Sequence, residues 1–155
     1  MSLRVFEKQS ATQRETLAPD ATAGVASPKN GSQWHNIMRW YLNALELAHK
    51  IVAALEDKKG DDILLLDIKD IASFTDYFVI CNGTSDRMLD ALAKGVLEST
   101  KQDYKKKGRI EGQAQEGWLV LDYGDVVVHL FSPDQRKHYD LEELWSDGKV
   151  LLRVQ

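Results

Sequence analysis

The sequence predicts a mixed α/β domain: a β-sheet with parallel and antiparallel strands, flanked by helices. Three observations carry this reading. Trp34, Met38, Tyr41, Leu45, Ala48, Val52 and Leu55 recur at three and four residues, the spacing of one buried helical stripe. Ile63–Ile68 and Tyr77–Cys81 are short continuous apolar runs, as strands buried on both faces require. Trp118–Asp122 and Asp125–Phe131 alternate around Tyr123-Gly124, the pattern of a hairpin. Together they imply parallel strands joined by helical crossovers, followed by an antiparallel pair. A chain of 155 residues, 43% hydrophobic and 28% charged, can bury such a core as one domain without staples.

The elements follow in order. Residues 1–32 are rich in Ala, Thr, Ser and Gln and poor in large apolar side chains, so they are expected to form a disordered extension before a folded domain over 33–155. They lack the charged start and apolar core of a secretory signal. Arg4, Lys8 and Arg14 fit a mitochondrial presequence, but Glu7 and Glu15 count against one. The first helix runs to about Asp57, with Ser32 as N-cap and Gly60 just past its end. After the second buried strand, Gly83-Thr84-Ser85 turns the chain into a long helix with Met88, Leu89, Leu92, Val96 and Leu97 on its apolar side. Ser85 caps it, Asp86 suits its positive pole, Lys105–Lys107 its negative pole, and Gly108 is the expected left-handed stop. Ile110 suits a short edge strand. In the hairpin, Trp118, Val120 and Asp122 share one face of the first strand and Leu119 and Leu121 the other, while in the second strand Val126, Val128 and Leu130 oppose Val127, His129 and Phe131. Pro133 ends that strand, Tyr139–Trp145 forms a short acidic helix burying Leu141, Leu144 and Trp145, and Val150–Val154 closes as a strand or tail.

Charge and composition exclude several functions. The formal charge of −4 is wrong for a domain whose main partner is a bare nucleic-acid backbone. Within it, Glu116–Asp147 carries eight acids against Arg136 and Lys137, a net of −6, while Arg87–Arg109 nets +4. These are either two solvated faces or an acidic end steered towards a basic partner, with the lysine-rich helix free to meet RNA. No apolar run is long enough to span a bilayer, and a single cysteine, Cys81, fits a reducing compartment.

Candidate chemistry is thin. Asn82-Gly83-Thr84-Ser85 joins a strand to a helix as a phosphate loop would, but it lacks the lysine and further glycines of such loops. A metal-dependent nucleotidyltransferase needs clustered carboxylates for its metal ions. No Asp-x-Asp or Asp-x-Glu stands on the relevant strand, and Asp122 and Asp125 are three apart across a turn. His129 and His138 have no Cys or His at ligand spacing, so no metal and no cofactor is expected, and His129 reads as a hydrogen-bonded core residue. No Gly-x-Ser-x-Gly elbow supports a serine nucleophile. Trp118 and Tyr123 fit cross-strand packing and binding hot spots equally well.

Taken together, Asp76–Arg87, Glu111-Gly112, Gly117-Trp118, Leu121–Phe131, Arg136 and Tyr139–Trp145 resemble the ribosomal silencing factor family, also called Iojap, in matching order over about Leu45–Trp145. Met88 departs from the histidine or glutamine common there, and residues 1–32 lie outside the resemblance. The resemblance implies a nucleotidyltransferase-like fold without the catalytic carboxylates, hence no enzyme. It implies a cytoplasmic factor that binds the large ribosomal subunit at universal ribosomal protein fourteen and blocks subunit joining, repressing translation. Organellar relatives instead assist large-subunit assembly, and a homodimer of the free protein is compatible with the family. The contact residues it implies are Trp118, Asp122, Tyr123, Gly124 and Asp125, with Arg136, Tyr139 and Glu142. The aromatics would fill pockets on the partner, the acids would complement a basic ribosomal protein, and the basic helix would lie near ribosomal RNA.

Overall fold

A computed structural model of the chain describes residues 31–103 and 107–155, with the side chains of 33–42, 102 and 103 left aside. The expected disorder of the extension, the side chains of Trp34, Met38 and Tyr41, and Lys105 and Lys106 thus fall outside the described residues, save that Gly31 and Ser32 are helical.

The elements are α1 (Gly31–Asp57), β1 (Asp61–Asp67), β2 (Tyr77–Asn82), α2 (Asp86–Asp103), β3 (Arg109–Gln113), β4 (Trp118–Asp122), β5 (Val126–Phe131), α3 (Pro133–Tyr139), α4 (Leu141–Leu144) and β6 (Lys149–Val154). The strands form one sheet in the order β3-β4-β5-β2-β1-β6. Only β2 and β5 are parallel; the other four pairings are antiparallel. That corrects the expectation that β1 and β2 run parallel. The nine residues between them, 68–76, are too few for a helical crossover, so the chain turns back on itself. The turn is held by the Ile68 N–H donating to the Asp76 carbonyl at 2.9 Å and the Ala72 N–H to the Ile68 carbonyl at 2.8 Å.

α1 and α2 pack side by side on one face of the sheet. Ala44, Leu47, Ala48, Ile51, Val52 and Leu55 meet Leu89, Leu92, Ala93 and Val96 above Leu65, Val79, Leu119, Leu121 and Val128. α1 already includes Ser32, which is therefore not its N-cap. Its C-terminus closes as the Lys59 N–H donates to Glu56 O at 3.0 Å and the Gly60 N–H to Leu55 O at 2.8 Å, with Lys59 itself left-handed (φ 63°). α2 is capped as expected: Ser85 Oγ accepts from the Met88 N–H at 3.2 Å. Gly108, in contrast, is not left-handed. It is glycine because a Cβ there would lie 2.6 Å from the Tyr123 ring.

The opposite face is covered by α3, α4 and the 68–76 turn, over a layer containing Phe78, Ile80, Trp118, Val120, Val127 and Phe131. The expected helix at Tyr139–Trp145 is the shorter α4, and α3 precedes it over Pro133–Tyr139, where only a strand end was expected. Asp140 adopts a left-handed conformation (φ 42°), caps α3 through its N–H to Arg136 O, and accepts from the Glu143 N–H to start α4. This kink leaves Leu144 59% exposed, correcting its expected burial. Pro133 stands at the start of α3 behind the Ser132 cap, as its fixed φ favours. Cys81 lies inside the sheet, where burial pushes its thiol up to about 12, so it is protonated and unreactive at neutral pH.

Candidate partner-binding surface

Strand geometry divides the residues singled out in Trp118–Asp125 into two places. Trp118 pairs with Phe131 at one end of the hairpin and Asp122 with Val127 at the other. Trp118 and Asp122 stand four residue steps apart along β4, about 13 Å. Trp118, Arg136, Tyr139 and Glu142 belong to the first end; Asp122, Tyr123, Gly124 and Asp125 to the second.

At the first end the structure builds an aromatic stack. The Trp118 ring lies 4.9 Å from Phe131 at 27° and 4.6 Å from Tyr139 at 42°, centroid to centroid. Its indole N–H donates to His129 Nδ1 at 3.3 Å, so the histidine proton sits on Nε2. His129 also meets the Phe78 ring edge-on at 4.7 Å. Burial alone pushes its pKa down to about 3, and it is a neutral core residue as expected. Trp118 itself is only 7% exposed, while Tyr139 is half-buried above it.

Arg136 reaches under α4 and across the sheet end. Its Nε and Nη2 donate to the two carboxylate oxygens of Glu142 at 3.1 and 3.0 Å, a bidentate fork. Its Nη1 donates to the Asp62 carbonyl at 2.6 Å and to Asn82 Oδ1 at 3.1 Å. Asp62 is left-handed (φ 43°), and its carboxylate accepts twice from Arg153 at 3.0 Å. None of Asp62, Asn82 and Arg153 was read as a member of this cluster in the sequence, where Asn82 stood out only in the phosphate-loop candidate. They stand 74, 54 and 17 residues from Arg136, and no local pattern links them.

At the second end the residues make a turn. The Tyr123 N–H donates to Val126 O at 2.9 Å, and the Gly124 N–H to Asp122 Oδ1 at 2.7 Å. Gly124 takes the positive φ (86°) that the turn needs. The Asp125 carbonyl accepts from both Asp76 and Tyr77 N–H groups, docking the 68–76 turn. The side chain of Tyr123 points to the helix face, where its hydroxyl lies 2.9 Å from Thr100 Oγ1 and burial raises its pKa. It is 5% exposed. Trp118 and Tyr123 therefore lie on opposite faces, and neither projects into solvent. In the free chain both are held in the protein's own core. Gly124, Asp125, Tyr139 and Glu142 are the half-buried members of the set.

Around these ends, Ile71 and Leu144 are exposed large apolar side chains on the thinly covered side. Trp145 packs edge-on against Phe74 and Phe78 at 5.7 Å from each. The exposed stripe of α2 reads Arg87, Asp90, Lys94, Glu98, Lys101, alternating in sign, so within the described residues the basic segment presents no uniformly positive helix face. Among the described residues no three His, Cys, Asp or Glu side chains converge on a metal-sized site, and no helix is long and apolar enough to cross a membrane.

Known proteins share this architecture. The family model described as "Ribosomal silencing factor during starvation" matches residues 41–154. The ribosomal silencing factor RsfS of Bacillus subtilis is 38% identical over 109 residues, covering 70% of this chain and 92% of its own. RsfS of Halalkalibacterium halodurans is 38% identical over 106 residues, 68% of this chain and 91% of its own. A crystal structure of a Chromobacterium violaceum protein superposes with a TM-score of 0.63 at 36% identity, over 66% of this chain and 85% of the other.

Proposed function

This chain belongs to the ribosomal silencing factor family, and we propose on that ground that it binds the large ribosomal subunit at universal ribosomal protein fourteen and sterically blocks subunit joining. It acts in the cytoplasm, by occupancy and without catalysis. The observation that carries the proposal is the extent of the match: nearly the whole of a bacterial silencing factor aligns with this chain, and the family model runs through both ends of the hairpin.

The surface supports this reading with two patches. One is Tyr139 and Glu142, half-buried at the rim, with Trp118 fixed beneath Tyr139 and Arg136 beneath Glu142. The other is the turn of Asp122–Asp125, where Gly124 and Asp125 reach solvent and Tyr123 anchors the turn from behind. The acidic balance of Glu116–Asp147 suits a ribosomal protein that is itself basic in order to sit on RNA. Half-buried aromatics on a rigid support are the side chains that dominate interface energies.

The test is co-sedimentation of the full chain with purified large subunits, followed by a subunit-joining assay. Stoichiometric binding to large subunits and loss of joined ribosomes are expected. Failure to bind, or binding without any effect on joining, would sink the proposal.

A further inference from the structure

We infer that Arg136 is a positioning residue: its guanidinium locks the kinked α3–α4 unit onto the ends of β1 and β2, and thereby sets Tyr139 on Trp118. This rests on the binding surface proposed above. The Arg136 side chain is 8% exposed, so it does not meet a partner itself. Instead it ties together segments remote in sequence. Glu142 stands in the first turn of α4 and Arg136 one turn before the end of α3, so their fork spans the kink at Asp140. The remaining donors fix that kinked unit to the Asp62 carbonyl and Asn82 Oδ1.

Geometry makes this role specific to arginine. A lysine carries one nitrogen and cannot serve two carboxylate oxygens and two further acceptors in one plane. Both backbone kinks bridged by the side chain, Asp62 (φ 43°) and Asp140 (φ 42°), are conformations that residues other than glycine rarely adopt. Such conformations persist where the surroundings over-determine them. Arg153, doubly bonded to the Asp62 carboxylate, adds β6 to the same clasp. Tyr139 lies in sequence between the two halves of the fork, and its ring stacks 4.6 Å from Trp118. Loosening the fork frees the last turn of α3 to move off that ring.

The test uses Arg136→Lys in the full chain. In the free protein, the assigned Trp118 indole N–H and Tyr139 ring signals are expected to move by NMR, while those of Tyr123 on the other face stay in place. With large subunits, Arg136→Lys is expected to weaken binding about tenfold in the wild-type background but less than about twofold in a Tyr139→Ala background. Should Arg136→Lys fail to fold, Glu142→Gln opens the fork from its more accessible side, and the free-protein signals of Trp118, Tyr139 and Tyr123 give the readout. Unmoved Trp118 and Tyr139 signals, or equal losses of affinity in both backgrounds, would overturn the inference. A wild-type chain that does not bind large subunits overturns the proposed function instead, and the free-protein spectra then decide the positioning role on their own.

Discussion

The two faces of the sheet bury it by different means. One lies under helices of 27 and 18 residues, the other under helices of seven and four. Among the described residues the buried helix face is mostly aliphatic, with Tyr77 and Tyr123 as its aromatics, and is closed by repeated, interchangeable contacts. The thin face is richer in aromatic rings, and its order rests on a few specific partners: Trp118 on Tyr139, His129 under Trp118, Arg136 on Glu142. A surface built that way has defined positions for its rim residues, at the expense of redundancy. Changes on the helix face should therefore act through stability, and changes on the thin face through binding.

The sharpest contrast comes from two truncations of similar stability cost. Trp118→Ala removes stacking on both Phe131 and Tyr139 and leaves His129 Nδ1 without its donor, and should destabilise by about 3–5 kcal/mol. Leu92→Ala, fully buried on the helix face, should cost about 2–5 kcal/mol. Urea titration gives both values. At temperatures where both variants remain folded, only Trp118→Ala should lose large-subunit binding. Equal binding losses would break the contrast between the faces.

Tyr139→Ala separates the two effects further. Its half-buried ring is part of the rim, so binding should weaken by about 2 kcal/mol while unfolding stability changes by about 1 kcal/mol or less. Titration of labelled chain with large subunits measures the first and thermal unfolding the second. A change confined to stability would remove Tyr139 from the surface.

pH probes the same face. His129 is held neutral, with its pKa lowered from 6.5 to about 3 by burial. The unfolded chain takes up a proton below pH 6.5 that the folded chain refuses. The His129 contribution is thus complete above pH 6.5 and is lost progressively as the pH falls towards 3. At pH 5 the loss should be about 2 kcal/mol, and His129→Gln should flatten that slope in urea titrations at pH 5 and 7. An unchanged slope would mean that other groups dominate the acid response.

How far each face was legible in the sequence follows from the same contrast. The stripe of Leu45, Ala48, Val52 and Leu55, the Ser85 cap and the alternation in Trp118–Phe131 are local signals, and they marked the helix face and the hairpin, while Ile110 marked the edge strand β3. Strand direction at β1–β2 was also available in the short 68–76 connection but was outweighed by the two continuous apolar runs. Helix α3 and the kink at Asp140 were not legible: Pro133 read as a strand end, and a left-handed aspartate between two short helices depends on the Arg136–Glu142 fork and the Asp140 cap. Nor was the clasp on Asp62, whose partners meet only in three dimensions. Trp118 and Tyr123 were recognised as important side chains, yet alternation along β4 puts Trp118 on the thin face and the turn sends Tyr123 to the helix face, so proximity in sequence concealed a separation in space.

Tyr123 supplies the smallest and most discriminating change. Its hydroxyl meets Thr100 Oγ1 at 2.9 Å inside the helix face, and Thr100 keeps a second bond, donated to the Val96 carbonyl at 2.9 Å. Tyr123→Phe therefore removes one buried hydrogen bond and leaves no orphaned hydroxyl, a loss of about 1 kcal/mol. The ring stays against Gly108, and the turn keeps its bonds from the Tyr123 N–H to Val126 O and the Gly124 N–H to Asp122 Oδ1. Large-subunit affinity should then stay within about twofold of wild type, because nothing at the solvent side of the turn has moved. A tenfold loss on deleting this one hydroxyl would mean that Tyr123 leaves the core to meet the partner, and that the helix face takes part in binding after all.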